Sequence, residues 1–284
     1  MTRWSGSGPL LLDRHRRHSV QCHLVRRSLR SRQCRPTTSP LQSSVYLTSP
    51  QPFPVPVLKS VADLLVPFVT YLFNQSLTSG SVPAGFKDSF ITPVIKRPGL
   101  DEGSPSSYRP ISNLSVISKL FERLVARQLV TYLDTHRLLP ATQSGFRRGH
   151  STETDTIRVL SDLLDSVDRG DTAVLVLLDL TAAFDTVNHE ILLKRLQVTF
   201  GVDNTSLSWF SSYLAGRKQH VRCGGKSSSV TDVVYGVPQG SVLGPILFII
   251  YTADLAPITL HYITLKILVC VLQRNVQPLI TLSD

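Results

Sequence analysis

The chain has 284 residues, 42% hydrophobic and 18% charged, which fits a globular protein with a sizeable core. No apolar run is long enough to span a bilayer, and no apolar stretch of signal-peptide type opens the chain, so membrane and secreted classes are not expected. The net charge of +10 fits a partner rich in phosphate, yet nine arginines and one aspartate lie in the first 40 residues, leaving the rest nearly neutral. Global charge therefore does not decide the function. Cys22, Cys34, Cys223 and Cys270 show no metal or disulfide spacing and read as free thiols in a reducing compartment.

Residues 1–56 are expected to be a disordered leader, first rich in arginine and then in proline and serine, without the apolar periodicity that offsets ordering entropy. A solvated leader is the plain reading; a nuclear-localisation or RNA-binding arm is the alternative. From 57 to 88 a helical lead-in is expected, with Ser60 and Asp63 as a capping box, Val61, Leu64, Leu65, Phe68 and Leu72 at helical spacing, and Gly80 as the stop. Pro67 is expected to bend it.

Phe90–Ile95 predicts a strand that runs into the turn Lys96-Arg97-Pro98-Gly99. Leu114, Ile117, Leu120, Leu124, Leu129 and Leu133 predict a second helix. A third is expected from Thr152, capped against Asp155, to Gly170. Ala173–Leu178 is continuously apolar, the pattern of a fully buried strand. Helices around His189–Phe200 and Ser206–Ala215 follow, then a hairpin of Lys218–Cys223 and Ser228–Tyr235 about Gly224-Gly225, then a buried helix over Val242–Tyr251. The class is α+β.

Three constellations carry chemistry. Asp179 stands where the apolar strand ends, in Leu178-Asp179-Leu180-Thr181-Ala182-Ala183-Phe184-Asp185; by itself such an aspartate is a turn former or a cap as readily as a metal ligand. Gly236-Val237-Pro238-Gln239-Gly240-Ser241-Val242-Leu243-Gly244-Pro245 forces an irregular backbone, and Gly240 allows close approach, although a loop that merely enters a helix would look the same. Lys96 and Arg109 flank a Gly/Ser/Pro-rich connection and could converge on one anion such as a triphosphate, or could be two solvated charges.

Taken in order, Ile91–Lys96, Tyr108–Leu114, Ser144–Glu153, Leu178–Val187 and Gly236–Pro245 resemble the reverse transcriptases of LINE-type non-LTR retrotransposons over about 200 residues. The resemblance implies a right-hand polymerase fold with fingers and a partial palm, and RNA template, DNA primer, dNTP and two Mg²⁺ ions as ligands. It makes Asp179 the first metal-binding palm carboxylate, assisted by the Leu180 carbonyl. Phe184 becomes the aromatic gate under the incoming sugar. Gln239 and Gly240 would lie against the nascent pair, and Lys96 and Arg109 would clamp the triphosphate. Gly145, Phe146, Arg147 and Arg148 match the template-contacting stretch. The in-line transfer needs carboxylates converging on paired hard cations.

The family's Tyr/Phe-Ala-Asp-Asp turn is not found: no two aspartates are adjacent in the chain. Tyr251-Thr252-Ala253-Asp254 continues a helix and is matched to the segment before that turn, with Asp185 as a better reserve carboxylate than Asp254. The expected partition is a leader 1–56, a lead-in 57–88, fingers and partial palm 89–260 without a thumb, and a divergent tail 261–284 that a frameshift, altered exon boundary or decay would explain. Alternating Ile263, Leu265, Ile267 and Val269 could form a replacement strand. The expected function is RNA-templated DNA synthesis by descent, in a copy that is catalytically inactive. A non-catalytic nucleic-acid-binding remnant is the alternative, and an unstable product without a cellular role is the third reading. The element's life cycle implies nucleus and cytoplasm. Oligomeric state is not legible.

Overall fold

The computed structural model describes residues 55–140, 143–147, 149–171, 174–177, 182–255 and 265–268, with backbone alone for 174–177 and 265–268. The described residues fall into two compact units, one within 1–136 and 184–250, the other within 137–183 and 251–284.

The first unit is built on helices α1 (Val55–Ser60), α2 (Ala62–Ser79) and α3 (Val116–Thr135). Ser60, expected to cap the helix with Asp63, does not stand at its N-cap, which is Val61. The Ser60 hydroxyl instead donates to the Val57 carbonyl, and α2 starts after Val61 without a side-chain cap. α2 runs on through Pro67 and ends at Gly80, whose N–H donates to the Ser76 carbonyl. Helix α3 starts one residue past its cap, where the Ser115 hydroxyl accepts from the Ser118 amide.

The core forms where aromatic residues from distant segments meet. Phe73 of α2 stacks on Phe121 of α3 at 4.3 Å, and Phe121 meets Trp209 edge-on at 5.4 Å. Trp209 lies on a helix described below, and its indole N–H donates to the Ser76 hydroxyl at 3.2 Å. The opposite face of α2 keeps Leu64, Phe68 and Tyr71 exposed.

A mixed sheet covers this core. β1 (Asp88–Ile95) pairs antiparallel with β2 (Tyr108–Asn113), in the register Phe90 to Asn113 and Ile95 to Tyr108. Helices α5 (His189–Val198) and α6 (Asn204–Leu214) lead to β4 (Arg217–Cys223), which lies parallel to β1 on its other edge. The hairpin expected about Gly224-Gly225 is present, its return arm split into β5 (Lys226–Ser227) and β6 (Thr231–Val233), both antiparallel to β4. Helix α7 (Gly244–Tyr251) is apolar throughout, with Leu247, Phe248, Ile249 and Ile250 buried.

In the second unit, α4 (Thr152–Asp168) is capped by Ser151, not by Thr152. Its hydroxyl accepts from the Thr154 amide, and the Thr154 side chain reciprocates. β3 (Val174–Leu177) pairs in parallel with β7 (Leu265–Leu268), which falls in the stretch whose alternation predicted a strand. Among the described residues, no helix is long and apolar enough to cross a membrane.

Candidate active site

The site grows from the loop between the hairpin and α7. Its first residues are clamped to the segment before α5. The Gly236 amide donates to the Val187 carbonyl and the Val237 amide to the Phe184 carbonyl, each at 2.8 Å. His189 Nε2 lies 2.7 Å from the Gly236 carbonyl oxygen. Gly236 is required here: at φ +84°, a Cβ would stand 2.9 Å from both the Asp185 Cα and the Phe184 carbonyl oxygen.

The tip of the loop reaches β2. The Ser112 amide donates to the Gln239 carbonyl at 2.7 Å. Gly240, at φ +110°, comes so close that a Cβ would meet the Ser112 carbonyl oxygen at 2.8 Å and Ile111 Cγ2 at 3.7 Å. Ile111 shares its face of the strand with Arg109, so the loop tip and Arg109 lie on one side of β2, about 10 Å apart along the strand. Two of the three sequence constellations thus become one surface.

Lys96 joins that surface at its open end. The β1–β2 ladder is extended by the Lys96 amide, which donates to the Ser107 carbonyl at 2.9 Å, and the Lys96 ammonium donates to the Ser106 carbonyl at 2.7 Å. The ammonium is tied to the connection between the strands and keeps donors to spare. Arg109, across from Val94, is exposed. Asn113 stiffens the same face by donating to the Thr92 hydroxyl at 2.9 Å.

Phe184 is 6% exposed, its ring 5.3 Å from that of Phe248 on α7. It packs in the core beneath the loop. Asp185, next along, is exposed, and partial desolvation of its carboxyl pushes its pKa up. Asp179, Leu180 and Arg148 lie outside the described residues.

In the second unit, the Arg147 guanidinium donates to the carbonyls of Pro140 at 3.2 Å and Gln143 at 3.4 Å. Gly145 follows Ser144, whose hydroxyl donates to Asp155 Oδ1 at 2.7 Å. Phe146 is half exposed and held at φ +55°, a left-handed conformation that costs an L-residue about 1–2 kcal/mol. Asp254 is exposed, in the turn after α7.

One cluster escaped the sequence reading. Glu122 is 2% exposed on α3, where its carboxylate accepts from Tyr213 Oη at 2.8 Å and from the Val242 amide at 2.6 Å. Burial pushes its pKa up, against the opposing pull of those two donors and of Arg217. Arg217, 1% exposed, stacks its guanidinium 4.7 Å from the Tyr213 ring centroid and donates to the Tyr213 carbonyl at 3.0 Å. The available signal was a charge on an apolar stripe, since Glu122 falls in phase with Ser118, Val125 and Leu129.

Among the described residues, no three His, Cys, Asp or Glu side chains gather as a metal centre. What they form is a shaped surface: a loop fixed at foot and tip, beside a cationic strand end.

Comparison with known proteins bears directly on that surface. A sequence profile of the reverse transcriptase (RNA-dependent DNA polymerase) family matches residues 95–271. The probable RNA-directed DNA polymerase from transposon BS of Drosophila melanogaster is 37% identical over 70% of this chain and 22% of its own length. The RNA-directed DNA polymerase from mobile element jockey of the same species is 33% identical over 70% of this chain and 21% of its own. The R2 retrotransposable-element Pol polyprotein of Popillia japonica is 30% identical over 61% and 23%. This chain therefore spans about a fifth of these relatives. An apo telomerase structure from Candida tropicalis aligns over 69% of this chain and 45% of its own, at 18% identity and a TM-score of 0.41, below the level at which a shared fold follows. The matched profile covers most of the chain and includes Lys96, Arg109, Asp179, Phe184 and the Gly236–Pro245 loop, and on that ground the chain belongs to the reverse transcriptase family, in its non-LTR retrotransposon branch.

Proposed function

We propose that this chain carries the template- and nucleotide-facing surface of a polymerase that copies RNA into DNA during retrotransposition, and that residues 1–284 by themselves do not complete the reaction. The observation that carries the first part is the junction of Gln239–Gly240 with Ser112, which aligns the loop with Arg109 on one side of β2. A backbone held that closely, with cations at its end, suits an extended polyanion and a triphosphate.

The described residues have roles that need no metal. Arg109 and Lys96 would bind phosphate oxygens, Arg109 as a planar fork and Lys96 as a point charge. Gln239 would present its backbone-fixed side chain to the base pair. Phe184 would support the loop from beneath by its packing on Phe248, an aromatic floor under the nucleotide sugar. Gly145, Phe146, Arg147 and Arg148 would meet the template strand, with Phe146 available for base stacking.

Divalent ions, Mg²⁺ in the family reading, would neutralise charge on the reacting phosphate when bound. Asp179, with the Leu180 carbonyl, is the proposed anchor. One carboxylate does not hold a pair of such ions, and no adjacent aspartates occur in the chain. Asp185 would be the reserve carboxylate, ahead of Asp254.

The test is binding of a poly(rA)/oligo(dT) hybrid by fluorescence anisotropy across a salt series. The proposal expects affinity that falls steeply with salt and falls further at fixed salt in Arg109→Ala. Hybrid affinity that is indifferent to salt and to Arg109→Ala contradicts it.

A further inference from the structure

We propose that Glu122 is the positioning residue of this site, a buried carboxylate that fixes the Gln239–Gly240 loop and the start of α7 against β2. The inference rests on the reading of that loop as nucleic-acid-facing.

Three segments converge on Glu122. It is carried by α3, is held by Tyr213 of α6, and accepts the Val242 amide at the far end of the loop. The neighbouring Ser241 hydroxyl accepts the Gly244 amide at 2.8 Å. Together these two side chains take up the N–H groups of Val242, just before α7, and of Gly244, its first residue, and Glu122 places a negative charge near the positive end of that helix. The loop is thereby pinned at its foot by Phe184 and Val187, at its tip by Ser112, and at its exit by Glu122.

A leucine at position 122 would complete the apolar stripe of α3 without burying a charge. The sequence instead places an anion there and sets Arg217 beside Tyr213 as its counter-charge. Arg217 Nη2 is buried and has no hydrogen-bond partner among the described residues. A guanidinium kept with an unsatisfied donor is held for its charge and stacking. Such buried pairs are weak sources of stability and are retained in some proteins because they specify one arrangement. Here the arrangement specified is the exit of the loop. Glu122 touches no substrate; it acts through Val242.

The test separates position from stability. In the full chain, the double variant Glu122→Leu/Arg217→Met removes both buried charges and fills the same volume, so its denaturation midpoint is expected to stay near that of the unaltered protein. Hydrogen exchange at the amides of Val242, Leu243 and Gly244 is expected to quicken by about tenfold or more, with β1 and α6 unchanged. Glu122→Gln, which keeps a neutral acceptor for Val242, is expected to be intermediate. Loop amides as protected in the double variant as in the unaltered chain would overturn the proposal, as would quickening shared evenly by the whole unit. The poly(rA)/oligo(dT) hybrid then tests the underlying reading separately. A loosened loop with about tenfold weaker hybrid binding supports both; a loosened loop with unchanged binding supports the positioning role and overturns the loop as the nucleic-acid face.

Discussion

The Ser112 amide donates to the Gln239 carbonyl across 2.7 Å, so that a strand near one end of the matched region and a loop near the other share a single hydrogen bond. That bond sets the distance between the cationic end of β2 and the loop tip.

Gly240→Ala strikes the junction directly. The new methyl would stand 2.8 Å from the Ser112 carbonyl oxygen, at a φ of +110° that L-residues rarely adopt. The backbone contribution alone is expected to cost about 1–3 kcal/mol, read as a lower urea midpoint at unchanged m-value. Hybrid binding should weaken with it. A midpoint equal to that of the unaltered chain would contradict the close approach.

Phe184→Ala addresses the floor of the loop. A buried ring packed on Phe248 is expected to cost about 3–5 kcal/mol when truncated. Phe184→Leu should cost far less, because it retains most of the volume. If Phe184 stood free under a sugar instead, chemical denaturation would register little change for either variant.

The elements were legible in the sequence where periodicity and punctuation agreed. Gly80 ends α2, the spacing of Ile117, Leu120, Leu124, Leu129 and Leu133 marks α3, and the pair Gly224-Gly225 turns the hairpin. The start of α2 differs from the expected one because Val61 takes the N-cap position while the Ser60 hydroxyl donates back to the Val57 carbonyl, a choice open to any serine at a helix end. In the site, the loop and β2 were legible as separate strings, but their contact was not, since hydrogen bonds between backbones leave no residue signature. Glu122 was missed for a related reason: its partners Tyr213 and Val242 lie 91 and 120 residues away.

Glu122 also sets a pH dependence. Burial raises its folded-state pKa above the unfolded value, with Tyr213, Arg217 and Val242 opposing the shift. Between the two pKa values the folded chain binds the proton more strongly than the unfolded chain does. The Glu122 contribution therefore favours folding below the unfolded pKa and declines as pH rises to the folded one. Subtracting the stability–pH curve of Glu122→Gln from that of the unaltered chain should leave a difference that falls with pH over this window. A flat or rising difference would contradict the direction.

Phe146 separates backbone strain from ligand contact. At φ +55°, Phe146→Gly is expected to relieve about 1 kcal/mol of strain, seen as slower proteolysis of the second unit, while weakening hybrid binding by removal of a stacking ring. Faster proteolysis together with unaltered binding would contradict both assignments.

The chain belongs to the reverse transcriptases; the proposal is that it carries their template-facing surface without completing catalysis by itself. Primer extension on poly(rA)/oligo(dT), with dTTP and either Mg²⁺ or Mn²⁺ and an Asp179→Ala control, tests it most directly. Folded protein is expected to bind the hybrid and to extend no primer. Extension that Asp179→Ala abolishes would contradict it, and would assign the completion of the metal site to another carboxylate of this chain.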